Sequence, residues 1–202
     1  GFIDTEKFSP SALAFGVGYG RALSENFSVG GHLKRAYQYL GNNVVPVSDS
    51  SNTVENNVAN AIAVDFGTIY ITDWHGFTLG MSVRNFSEEV EYGYDSLQLP
   101  LTFRIGGSID VLSFLPSLSE KQSLRMALEA LHPRSYPERL NFGLEYSFMD
   151  LGNLRLGYLF NYDERNLTYG AGIKLGPLKI DYALTPFGVF DSVSRISVSI
   201  AR

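Results

Sequence analysis

Glu129 and Glu145 are the carboxylates whose setting comes nearest to an acid/base pair, since both sit in alternating segments that also carry arginine. General acid–base work needs two carboxyls whose surroundings push their protonation apart. Arginines in the same set favour the ionised form of both, so structural ion pairing is the reading these two support. His32, His75 and His132 are the only histidines, and none has a second ligand at i+2 or i+4, so they predict no metal site. The acidic stretch Glu88, Glu89, Glu91 and Asp95 has carboxylates for calcium but not the EF-hand spacing, and it reads as a solvated loop. The glycine runs "GVGYGRA" (16–22) and "GAGIKLGP" (170–177) superficially resemble dinucleotide loops. Neither has the full GxGxxG spacing or opens a helix. No GxSxG elbow is present, and with no cysteine there is neither a thiolate site nor a disulfide framework. The sequence therefore predicts no catalytic residue, no metal, no cofactor and no enzyme.

The elements that carry these groups have a simple signature. In "RLNFGLEYSF" (139–148) Leu140, Phe142, Leu144, Tyr146 and Phe148 alternate with Asn141, Gly143, Glu145 and Ser147. A period of two gives a β-strand one apolar and one polar face. The pattern recurs at about 12–21, 26–38, 60–72, 77–85, 99–111, 122–131, 139–148, 153–161, 167–175, 178–185 and 193–201, about eleven strands in one domain over 1–202. Residues 119–133 also fit a helix, with Ser119 and Gln122 as a capping box and Pro133 as a stop. Their alternation, and the loop order of everything downstream, favour a strand.

Tight connections at 23–26, 73–76, 150–153 and 175–177 alternate with longer ones at 41–57, 87–96, 132–138, 162–166 and 185–191. Short turns on one side and long loops on the other are the habit of an up-and-down membrane barrel. The link 113–120 is the exception, long where a short turn is due.

Composition narrows the choice. Charged residues make up 18% of the chain, hydrophobic ones 45% and aromatic ones 13%, with 20 glycines, which suits β structure. The net charge of −5 with scattered basic residues leaves no footprint for nucleic acid. No apolar run reaches the roughly 18 to 20 residues of a membrane helix, so a membrane-spanning reading requires a closed barrel.

Sorted by parity, the polar face holds Lys34, Asp65, Arg84, Arg104, Arg125, Glu129, Glu145, Arg155, Lys174, Asp181 and Arg195, interleaved with glycines. Leu140, Phe142, Leu144, Leu156, Tyr169 and Ile180 lie on the other. Alternation alone fits either a soluble ligand-binding barrel with an apolar core or a membrane barrel with charges in the lumen. Three signals lean to the membrane: glycine crowding on the polar face, aromatic residues such as Phe8, Trp74, Phe86 and Tyr162 near strand ends, and charges of both signs on neighbouring strands.

Several segments, "LPLTFRIGGSIDVL" (99–112), "ALEALHPRSYPERLNFGLEYSF" (127–148), "LRLGYLFNYDERNLTYGAGIKLG" (154–176) and "LKIDYALTPFGVFDSVSRISVSI" (178–200), resemble the C-terminal two thirds of the PorV/PorQ family, outer-membrane barrels of the FadL superfamily. "AVDFGTIYITDWHGFTLGMSVRNF" (63–86) is similar as well. The resemblance implies an antiparallel transmembrane barrel of about 14 strands, of which this chain supplies about eleven, with an odd number before Gly1. It implies an outer-membrane location in a Gram-negative type envelope. It offers two roles: partner of a type IX-like secretion or surface assembly, contacting other envelope or secreted proteins, or FadL-like passage of a hydrophobic ligand. The first is the role expected, because the lumen set is poor in apolar residues.

Overall fold

The structure, a computed structural model, describes residues 10–48, 51–92, 95–97, 99–115, 117, 121–188 and 190–200. It is all-β, with eleven antiparallel strands in one sheet, each hydrogen-bonded to its sequence neighbour in an up-and-down order. The strands are β1 (Ser11–Ala22), β2 (Phe27–Ser48), β3 (Ser51–Ile71), β4 (Thr78–Ser87), β7 (Thr102–Asp110), β8 (Gln122–Pro133), β9 (Arg139–Phe148), β10 (Gly152–Phe160), β11 (Leu167–Leu175), β12 (Leu178–Phe187) and β13 (Phe190–Ile200). Between β4 and β7 a separate hairpin is formed by β5 (Val90–Tyr92) and β6 (Asp95–Leu97). The chain divides into two compact units, Gly1–Arg21 with Val29–Gly67 and Val83–Thr102, and Ala22–Ser28 with Thr68–Ser82 and Phe103–Arg202.

Gln122–Pro133 is a strand, not the helix that its Leu and Ala content also allowed. Pairing with β9 decides it: Met126 stands opposite Leu144 and Leu128 opposite Phe142, so alternation with a partner outweighs local helix propensity. Ser119 of the capping box lies outside the described residues. The link before it starts with one turn of 3-10 helix, Val111–Phe114, capped by the Asp110 carboxylate, which accepts from the Leu112 amide at 3.0 Å and the Leu124 amide at 3.1 Å.

Two expectations about loops need correcting. Residues 41–57 are not a solvated loop, because β2 runs on to Ser48 and β3 begins at Ser51. At 22 and 21 residues these strands are about twice the length a tilted strand needs to cross a bilayer. Val44, Val45, Val47, Thr53 and Val54 supply the β-branched residues that favour pairing, which the Asn and Ser content of the segment hid. The acidic stretch 87–96 likewise holds the β5–β6 hairpin, with Val90 opposite Leu97. Two tight turns take the left-handed form that right-twisted hairpins prefer: His75 and Gly76 have φ of 49° and 66°, and Met149 and Asp150 have 50° and 55°. The second centres on Met149–Asp150, a residue or two before the expected 150–153.

Candidate functional site: the polar face of the sheet

Strand β3 shows what the two faces are. Ile62 is 62% exposed and Phe66 46%, whereas Ala61 and Ala63, on either side of Ile62, are 7% and 1% exposed. The large apolar side chains point out, and the small ones point to the covered side. The same holds on β10 and β11, where Leu154, Leu156, Tyr158, Leu167, Tyr169 and Ile173 are exposed while Arg155, Gly157, Thr168 and Gly170 are half-buried and Gly172 is buried. Among the described residues the buried hydrophobic set is only Ala61, Ala63 and Leu131, with no large side chain fully buried. This inverts the burial of a water-soluble domain.

Register places the polar residues in rows. Arg125, Glu145, Arg155, Gly170, Ala183 and Arg195 stand opposite one another from β8 to β13. The adjacent row is Ser123, Ser147, Asn153, Gly172, Asp181 and Ser197. Arg155 is the hub, with its Nε 2.5 Å from Glu145 Oε2 and its Nη1 2.7 Å from Asp181 Oδ1. Asp181 also pairs with Lys179 at 3.4 Å. Along the same face Arg104 lies 3.6 Å from Glu129, whose other oxygen accepts from Asn141 Nδ2 at 3.1 Å. Glu129 and Glu145 thus have separate basic partners and do not form an acid/base pair.

The other unit carries a second cluster. Lys34 Nζ donates to both oxygens of Asp65, at 2.8 and 2.9 Å, and to Asn85 Oδ1 at 2.5 Å. The Asn85 backbone N–H donates to Asp65 Oδ1 at 2.7 Å. Asn85 does this in a left-handed conformation, φ 60°, which asparagine tolerates better than most residues. His32, which has no second ligand near it in sequence, meets Asp65 across the sheet, its Nδ1 3.6 Å from Asp65 Oδ2. Its ring occupies the space a side chain at Gly16 would fill.

Of the residues assigned to the polar face from sequence, Lys34 with Asp65, Arg104 with Glu129, and Arg155 with Glu145 and Asp181 are brought together. Arg84, Arg125, Lys174 and Arg195 are exposed and form no ion pair among the described residues, although Arg125 stands opposite Glu145. On the other face Leu156 and Tyr169 are exposed, while Leu140, Phe142, Leu144 and Ile180 are half-buried, Leu144 in the same row as Leu156 and Tyr169. Lys179, on the polar face by parity, joins the network, and so do His32, Asn85 and Asn141. Parity also places His32 with Lys34 and Asn141 with Glu145, so only Asn85 carries no such signal.

Both ends of the strands carry aromatic clusters. Beside the tight turn at 74–76, Trp74 packs edge-on against Phe77 and Phe114, with centroids 6.1 and 5.8 Å apart. Near the longer loops, Arg139 lies over the rings of Tyr136 and Tyr162, and Arg165 over those of Tyr162 and Phe187. His132 pairs there with Glu138 at 3.1 Å. Phe8, assigned to an aromatic girdle, lies outside the described residues. Among the described residues no group of three or more His, Asp or Glu is placed to hold a metal, and no helix is long and apolar enough to cross a membrane.

No protein-family model and no curated protein matches the chain. Solved structures do. The toluene transporter TbuX of Ralstonia pickettii aligns over 87% of this chain with a TM-score of 0.53. The fold is shared with a transporter. The match covers 62% of the length of TbuX, and at 13% identity it is a likeness of fold.

Proposed function

We propose that this chain forms part of an outer-membrane β-barrel of FadL type, without catalytic activity, that passes a hydrophobic small molecule. The observation that carries the membrane reading is the exposure of Phe15, Val17, Ile62, Leu154 and Ile196, all at 62% or above, while no large side chain among the described residues is fully buried to make a core in their place. In water each such side chain forfeits roughly 1.5 to 3 kcal/mol of burial, whereas hydrocarbon solvates them. A soluble ligand-binding barrel would turn these residues inward.

The transport reading is supported by the fold shared with TbuX, a toluene transporter, which brings the hydrophobic ligand ahead of the secretion role. The PorV/PorQ reading, with a type IX-like assembly as partner, rests on the sequence resemblance, and none of the matches adds to it. Uptake of radiolabelled toluene separates the two: cells carrying the full-length protein in the outer membrane should accumulate label faster than cells without it. Equal rates, together with co-purification of a secretion assembly, would favour the partner role.

A further inference from the structure

Several arginines of this protein are held by oxygen acceptors, Arg155 and Arg104 by carboxylates and Arg35 by the Asn60 side-chain oxygen. Arg139 and Arg165, near the longer loops, are held differently. The Arg139 guanidinium carbon is 5.0 Å from the centre of the Tyr136 ring and 4.5 Å from that of Tyr162. That of Arg165 is 4.9 Å from Tyr162 and 5.7 Å from Phe187. Cations and rings alternate through five side chains. Neither arginine pairs with a carboxylate among the described residues, and the buried Nε of Arg139 has no hydrogen-bond partner there. Asp163 and Glu164 are close in sequence to Arg165, yet neither forms an ion pair with it.

We infer that this stack is a binding site for a phosphate-bearing anion. Rings attract a guanidinium without using up its N–H donors as a carboxylate would, and its planar fork can meet two oxygens of one phosphate. The rings also fix two long side chains in advance, so binding sacrifices less rotamer freedom. The pair is half-buried, which strengthens its attraction for an anion over that of a fully solvated arginine. Tyr136 is 61% exposed, leaving one end of the stack open to a ligand. A phosphorylated lipid headgroup and a free phosphate share this chemistry.

The site is tested on full-length protein in non-ionic detergent by 31P line broadening, with dihexanoyl phosphatidic acid and inorganic phosphate as separate probes. Broadening of the lipid alone assigns the site to a headgroup, and equal broadening of both assigns it to the free ion. Arg139→Gln and Arg165→Gln should each weaken binding about tenfold or more, the loss of a charge-assisted bidentate contact. If Arg139→Gln does not fold, Arg165→Lys keeps the charge and loses the planar fork, and it should still weaken binding several-fold. No broadening by either probe, or full binding by the folded variants, overturns the inference. Neither result depends on toluene uptake.

Discussion

Arg155 and Asp181 form a 2.7 Å ion pair although a whole strand, β11, lies between the strands that carry them. The strand they bridge offers glycine at the two positions beneath the contact: Gly170 stands opposite Arg155, and Gly172 opposite Asp181. A Cβ at Gly172 would sit 2.5 Å from Asp181 Oδ1 and 2.7 Å from Asn153 Oδ1. Glycine here makes room for charge to cross a strand.

Filling that space should break the bridge. Gly172→Val is expected to destabilise the folded protein by about 1 to 3 kcal/mol, the usual range for overpacking. Gly143→Ala is the control, because its Cβ would meet only Ala127 Cβ at 3.9 Å, an ordinary contact. Urea unfolding of both variants in lipid vesicles, followed by Trp74 fluorescence, measures the difference.

Leu144 and Glu145 are neighbours on opposite faces of β9. Leu144→Arg should cost roughly 2 to 4 kcal/mol if its site is near mid-membrane, the penalty for a cation on a lipid face. Glu145→Gln removes one of two acidic partners from Arg155 at a site about a third exposed, and should cost about 1 kcal/mol or less. The folded fraction on heat-modifiable gel migration reads both.

The Glu138 carboxyl is held below the usual carboxylate range, first by its own backbone N–H and then by His132. A depressed folded value means that the ionised form favours the ordered loop. That contribution is complete above the unfolded value near 4.3 and is lost as pH falls through the folded one. In an NMR titration Glu138 should protonate below an unperturbed glutamate. His132→Gln should return the midpoint part of the way, because the backbone donor remains.

If β2 and β3 stay paired beyond residue 40, the amides that bond across them exchange slowly. Hydrogen exchange should show protection in 41–48 and 51–57 at alternate positions, where a solvated loop would exchange at once. Uniform rapid exchange there would return the segment to a loop.

The strand order and the division of faces were legible because alternation is a local property, and Arg139–Phe148 was bounded to the residue from it. The β2–β3 extension was not, because Asn and Ser mark turns on average while pairing with a partner strand overrides them locally. Network membership was half legible. Parity put Arg155, Glu145 and Asp181 on one face, but register and intervening glycines decide which charges touch, so Arg125 is left without an ion pair. Asn85 joins through a left-handed backbone, and the Arg139–Tyr162–Arg165 stack joins the start of β9 to the loop between β10 and β11. Neither leaves a periodic trace.

An apolar face that meets lipid and a polar face that meets water differ in what reaches a spin label on the protein in vesicles. Labels are placed at Leu156→Cys, on an exposed apolar position, and at Thr168→Cys, half-buried on the polar face. Dissolved oxygen should relax the label at 156 far more than a water-soluble nickel chelate does, and the chelate should prevail at 168. Chelate access at 156 with none for oxygen would put the apolar face in water and rule out its contact with lipid.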